Sequence, residues 1–90
     1  MTPHDALLIF PTLARAGISI SCFAKLTGIS RQTLQSWKAG KPVSDELRWK
    51  IAYNTAIRAK RAVDAGLLPL PQEPSAAEKV VIVKRILLSV

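Results

Sequence analysis

The chain has 90 residues, 49% of them apolar, with 13 Lys and Arg against 6 Asp and Glu for a net charge of +7. That length supports one small domain with modest appendages, and excludes two. The single cysteine, Cys22, excludes an internal disulfide and a cysteine-based zinc cluster, and reads as a half-buried small apolar residue in a reducing cytoplasm.

A first helix is predicted from Thr2-Pro3, an N-cap followed by proline at the first helical position, with Asp5 in the first turn. Ala6, Leu7, Phe10, Leu13 and Ala14 give it an apolar face, Pro11 should kink or split it near Phe10, and Gly17 should end it. Ser19 then caps a second helix whose Phe23, Ala24 and Leu26 supply core contacts. Gly28 is the residue type that leaves a helix at positive φ without steric cost, and Ala24, four positions earlier, is small enough to admit a close neighbour. Ile29 follows as an apolar plug, and Ser30 as the cap of a third helix in which Leu34 and Trp37 point inward at i, i+3 spacing. Lys38-Ala39-Gly40-Lys41-Pro42 ends that helix with a cation in the last turn, a glycine just past it and a proline beyond. Residues 19–42 therefore spell a helix-turn-helix.

At about 100° per residue, Ser30, Thr33, Leu34 and Trp37 share one side of the third helix, and Arg31, Gln32, Gln35 and Ser36 the other. Arginine bonds guanine O6 and N7 in bidentate fashion, and glutamine does the same with adenine N6 and N7. Arg and Gln occur on any surface helix. Their coincidence with Ala24, Gly28, Ile29, Leu34 and Trp37 at these spacings is what points to base edges in a major groove.

After Pro42, Ser44 is expected to cap a long helix, with Asp45 and Glu46 near its positive end and Leu47 and Ile51 continuing the core face. Ala52, Ala56, Ala59 and Val63 form a smooth stripe suited to close helix contact, either within the fold or across a dimer, and Gly66 then Pro69 mark the stop. Pro69, Pro71 and Pro74 read as a short stiff linker. In residues 75–90 a capping box, Ser75 to Glu78, argues for a helix, while Val80-Val81-Ile82-Val83 argues for a strand. The cap signal is the more specific, and helix is the expectation. The apolar residues here imply packing on the domain or on a second copy.

Charge is concentrated where the motif lies. Residues 1–18 and 62–90 each balance, whereas residues 19–61 hold Lys25, Arg31, Lys38, Lys41, Arg48, Lys50, Arg58, Lys60 and Arg61 against Asp45 and Glu46 only. A localised basic stripe is the footprint of a polyanion binder. No segment joins this charge to a strong apolar face as a membrane-surface helix would, and the apolar run over 80–90 is broken by Lys84-Arg85. With no basic stretch ahead of Leu7-Leu8-Ile9-Phe10, no signal peptide is read, and a cytoplasmic protein is expected.

Residues 17–55 resemble the phage-repressor helix-turn-helix of the Cro/repressor family, through Gly17-Ile18-Ser19, residues 23–30, Leu34, Trp37, Gly40-Lys41 and Ile51-Ala52. The resemblance covers somewhat under half the chain. It implies a small all-α domain that binds operator DNA as a dimer and represses transcription. It puts Arg31, Gln32 and Ser36 at base-reading positions, with Gln35 an added candidate, and Ser30 and Lys41 at the sugar–phosphate backbone. Thr33 and Lys38 complete the phosphate-binding set. Three residues depart from the pattern: Ile20 where many members carry a phosphate-bonding Gln, Thr27 in place of a bulky aliphatic, and Asn54-Thr55 where the family's helix ends on apolar residues.

The expected organisation is thus an all-α bundle over residues 1–68 with the motif inside it, a linker over 69–74, and a packing or dimerisation segment over 75–90. The alternative function is a protein-binding module or antitoxin-like regulator that uses the fold, or the apolar segment 75–90, to bind a partner protein. No enzyme, cofactor or metal is expected. His4 is the only histidine, and there is no glycine-rich phosphate loop, Ser-His-Asp set or metal-spaced carboxylates.

Overall fold

Four short polar side chains fix where helices begin. In the computed structural model, which describes residues 6–71 and 74–90, Ser19, Ser30, Asp45 and Ser75 each accept the backbone N–H three residues on, from Cys22, Thr33, Arg48 and Glu78. These are N-caps, which satisfy an amide the helix itself leaves unpaired. The helices are α1 (Ala6–Ala16), α2 (Ile20–Thr27), α3 (Arg31–Lys38), α4 (Glu46–Asp64) and α5 (Ala76–Ser89), with no strand among the described residues. The chain is an all-α bundle, as the sequence predicts. No single helix among the described residues is long and apolar enough to cross a membrane.

The cap of α4 is Asp45 and not Ser44. The Asp45 carboxylate accepts Arg48 N–H at 3.0 Å and pairs with Arg48 Nη1 at 2.8 Å, a double hold that a serine hydroxyl lacks. α1 runs unbroken through Pro11, against the expected kink or split. The proline ring is exposed and removes only one intrahelical donor. The buried face of α1 is Ile9, Thr12, Leu13 and Ala16, with Phe10 half-buried, while Ala14 is exposed rather than on the core face. The expected start at Thr2-Pro3, and His4, lie outside the described residues.

Leu47 and Ile51 do not continue the core: they are 70% and 40% exposed. α4 buries Trp49, Ala52, Ala56, Ala59 and Ala62 instead. The reason is downstream. The face bearing Leu47 and Ile51 continues through Asn54, Arg58 and Arg61, whose burial without partners is costly. The opposite face continues in alanines, and these let α1 approach α4 closely in the most extensive helix pairing of the fold. The alanine stripe therefore works within the chain.

Around that pair sit Phe23, Ile29 and Leu34, all fully or almost fully buried, and the rings of Trp37 and Trp49, edge to face at 5.2 Å and 71°. Such a pair adds about 0.5–1.5 kcal/mol beyond the area it buries. Cys22, expected half-buried, is buried on α2. α5 packs on α2 and α4 through Val83 and Leu87, and Arg58 Nη1 donates to the Leu87 carbonyl at 3.4 Å. Helix wins over strand in this segment because the Ser75 cap and the packed inner face agree with each other.

Between α4 and α5, Leu68 is buried and Leu70 half-buried on the core. At the α1–α2 corner, Gly17 has φ +69, and Ile18 N–H closes α1 by donating to the Leu13 carbonyl at 2.9 Å. A Cβ at position 17 would meet Pro69 Cβ at 3.0 Å.

Candidate nucleic-acid interface

The turn between α2 and α3 is closed at three points. Gly28 takes φ +75, the left-handed region, and its N–H donates to the Ala24 carbonyl at 2.8 Å. Ile29 is 2% exposed and anchors the turn from below. Thr27 Oγ1 donates to the Phe23 carbonyl at 2.9 Å and accepts Ile29 N–H at 3.2 Å. The departure noted at Thr27 thus has a local function: its hydroxyl bridges the end of α2 to the turn.

α3 begins at a reciprocal pair. Ser30 Oγ accepts Thr33 N–H at 3.2 Å and donates to Thr33 Oγ1 at 2.8 Å. The helix ends as tightly. Gly40 N–H donates to the Trp37 carbonyl and Lys41 N–H to the Ser36 carbonyl, both at 3.0 Å, so the Lys41 backbone is fixed directly beyond the last turn.

Between these ends, Leu34 and Trp37 are buried and orient the helix about its own axis. Arg31, Gln32, Gln35 and Lys38 are exposed and fall within an arc of about 120° that excludes Leu34 and Trp37, with Lys38 at its edge nearest Leu34. Ser36 is half-buried at the margin of that arc, and Thr33 half-buried at the other side. Ser30 and Lys41 are exposed at the two ends of α3. Three of the four proposed base readers therefore share an open face, with Ser36 at its edge. At eight residues α3 is about 12 Å long, comparable to the width of a B-DNA major groove.

The cations of α2 and α4 divide into two kinds. Arg48 is paired with Asp45, and Arg58 donates to the Leu87 carbonyl near the end of α5, where a cation is favoured. Lys25, Lys50, Lys60 and Arg61 are exposed on α2 and α4. Sequence reasoning did not single out Trp49, whose ring holds Trp37 and through it the roll of α3. Its signal was available: Trp49 leads the alanine stripe at i, i+3 and i+7.

Comparison with protein-family models, with curated proteins and with solved structures finds no match to this chain.

Proposed function

We propose that this protein is a sequence-specific regulator of transcription, of the phage-repressor or mobile-element type, that binds double-stranded DNA in the cytoplasm. The observation that carries the reading is the open face of α3. Arg31, Gln32 and Gln35 stand together on a helix whose other side is fixed by Leu34 and Trp37. A reader of base edges needs donors and acceptors held in one orientation, and this helix holds them with capped ends.

Arg31 takes a guanine edge, and Gln32 and Gln35 take adenine edges, with Ser36 bordering them. Lys38 and Lys41 meet phosphates at the end of the helix. At its start, the Ser30 and Thr33 hydroxyls bond to each other at 2.8 Å, which uses one of their two protons and leaves the other for a phosphate oxygen. The described residues hold one such helix and measure 35 Å in their longest dimension. Reading two half-sites about 34 Å apart therefore takes two chains, and a dimer on a palindromic operator follows. Occupying a promoter in this way excludes RNA polymerase and represses.

Selection of bound sites from a random DNA pool, followed by binding to the selected site across a salt series, tests the reading. The expected result is a palindromic consensus and an affinity that falls steeply as salt rises, as neutralised phosphates require. Recovery of no consensus, with equal binding to all duplexes, would refute sequence-specific recognition. Lys41→Ala should lower the salt slope by about 1 on all duplexes alike.

A further inference from the structure

α5 has two apolar faces, and the fold uses only one. Val83 and Leu87 are buried, with Val80, Ile86 and Val90 half-buried beside them. On the opposite side Val81, Ile82 and Leu88 are 53%, 38% and 68% exposed. Glu78, Val81, Ile82 and Arg85 follow one another at i, i+3, i+4 and i+7, so they form a single stripe of about 100°. Along it the order is acid, two aliphatics, base.

That order is complementary to its own reverse. Glu78 and Arg85 lie about two turns apart on the same helix, too far to pair with each other. When a second α5 runs antiparallel, with a two-fold axis passing between Val81 and Ile82, each Glu78 comes level with the other chain's Arg85. Val81 and Ile82 then meet their counterparts at the axis. A parallel pairing would instead set Glu78 against Glu78 and Arg85 against Arg85. Charge complementarity therefore selects both the occupant and its direction.

We propose that the outer face of α5 pairs antiparallel with α5 of a second copy of this chain, through two Glu78–Arg85 contacts flanking a Val81/Ile82 centre. This gives the dimer required above its contact surface. It rests on the DNA-reader proposal for its role, and stands without DNA for its existence. A 14-residue helix is about 21 Å long, so the pairing buries less than a permanent dimer does. The association is reversible, with a dissociation constant on the order of micromolar.

The test uses the full chain in the absence of DNA, followed by sedimentation equilibrium over a concentration series. Glu78→Arg alone and Arg85→Glu alone should each weaken the dimer by about tenfold, because each sets like charges opposite at two symmetric places. Mixing the two variants should restore association, since the heterodimer regains an opposite charge at both places. Recovery on mixing is a result that an altered helix stability cannot produce. Val81→Asp, at the axis, should leave a monomer with the same helical circular dichroism.

A chain that stays monomeric at millimolar concentration, a dimer that Val81→Asp leaves intact, or a mixture no tighter than either variant would overturn the pairing. The two proposals fail separately. A dimer with this charge pattern that selects no DNA leaves the pairing standing and removes the reader. A palindromic consensus without recovery on mixing does the reverse.

Discussion

α3 and α5 both begin at a serine that accepts an amide three residues on, and both hold to the core through two buried side chains, Leu34 and Trp37 on one, Val83 and Leu87 on the other. What they turn outward has nothing in common. α3 presents Arg31, Gln32, Gln35 and Lys38, whereas α5 presents Val81 and Ile82 between Glu78 and Arg85, with Leu88 beyond. Where a helix sits is set by its inner face and its ends. What it can meet is set by the face that remains, and the two can be changed independently.

The sharpest way to break this comparison is to attack the inner faces. Trp37→Ala should destabilise the fold by about 3–5 kcal/mol in a denaturant titration, because a buried ring and its contact with Trp49 are both lost. Val83→Ala should cost less, about 1–3 kcal/mol, for a smaller side chain that is also fully buried. If Val83→Ala leaves stability unchanged, α5 is not anchored as α3 is, and the likeness between them fails.

The outer faces should answer to different assays. Arg31→Ala should weaken operator binding by about 1–3 kcal/mol and relax the preferred sequence, with stability altered by less than about 0.5 kcal/mol. Arg85→Ala should leave the affinity for a single half-site as it was. An Arg31→Ala protein that keeps both its affinity and its sequence preference would remove the assignment of α3 as the reading helix.

The smallest effects lie at the caps. Ser30→Ala should cost about 1 kcal/mol and Ser75→Ala about 0.5 kcal/mol, measured by thermal unfolding at fixed concentration. The difference reflects the additional Ser30–Thr33 hydroxyl contact and the longer, 3.4 Å bond at Ser75. Equal losses would mean that the Ser30 hydroxyl contributes only its cap.

The turn was legible because its determinants are local. Gly28, Ile29, Ser30, Leu34 and Trp37 state their positions within ten residues, and the structure places them accordingly. α4 was legible in extent and not in rotation. Leu47 and Ile51 outrank alanine in apolarity, and only the sum over Asn54, Arg58 and Arg61 turns that face outward. Ser44 and Asp45 are both good caps by type, and the Arg48 pairing that favours Asp45 is a matter of geometry. In the candidate site, the outward groups of α3 could be read from spacing. The engagement of Arg58 with a carbonyl 29 residues away could not, since it depends on where α5 docks.

Position 17 carries a practical warning for any mutational scan of this protein. Its backbone is left-handed, and its missing side chain leaves the room that Pro69 fills. Replacing that glycine disturbs the corner that aims α2, and α2 leads directly into α3, the helix proposed to read bases. If the proposed reading holds, a scan scored on DNA occupancy alone would rank this site beside Arg31, though it lies at the α1–α2 corner and not on the open face of α3. A change at 69 would relieve the collision while leaving the torsional penalty, so partial suppression there is the mark of an architectural position rather than a recognising one.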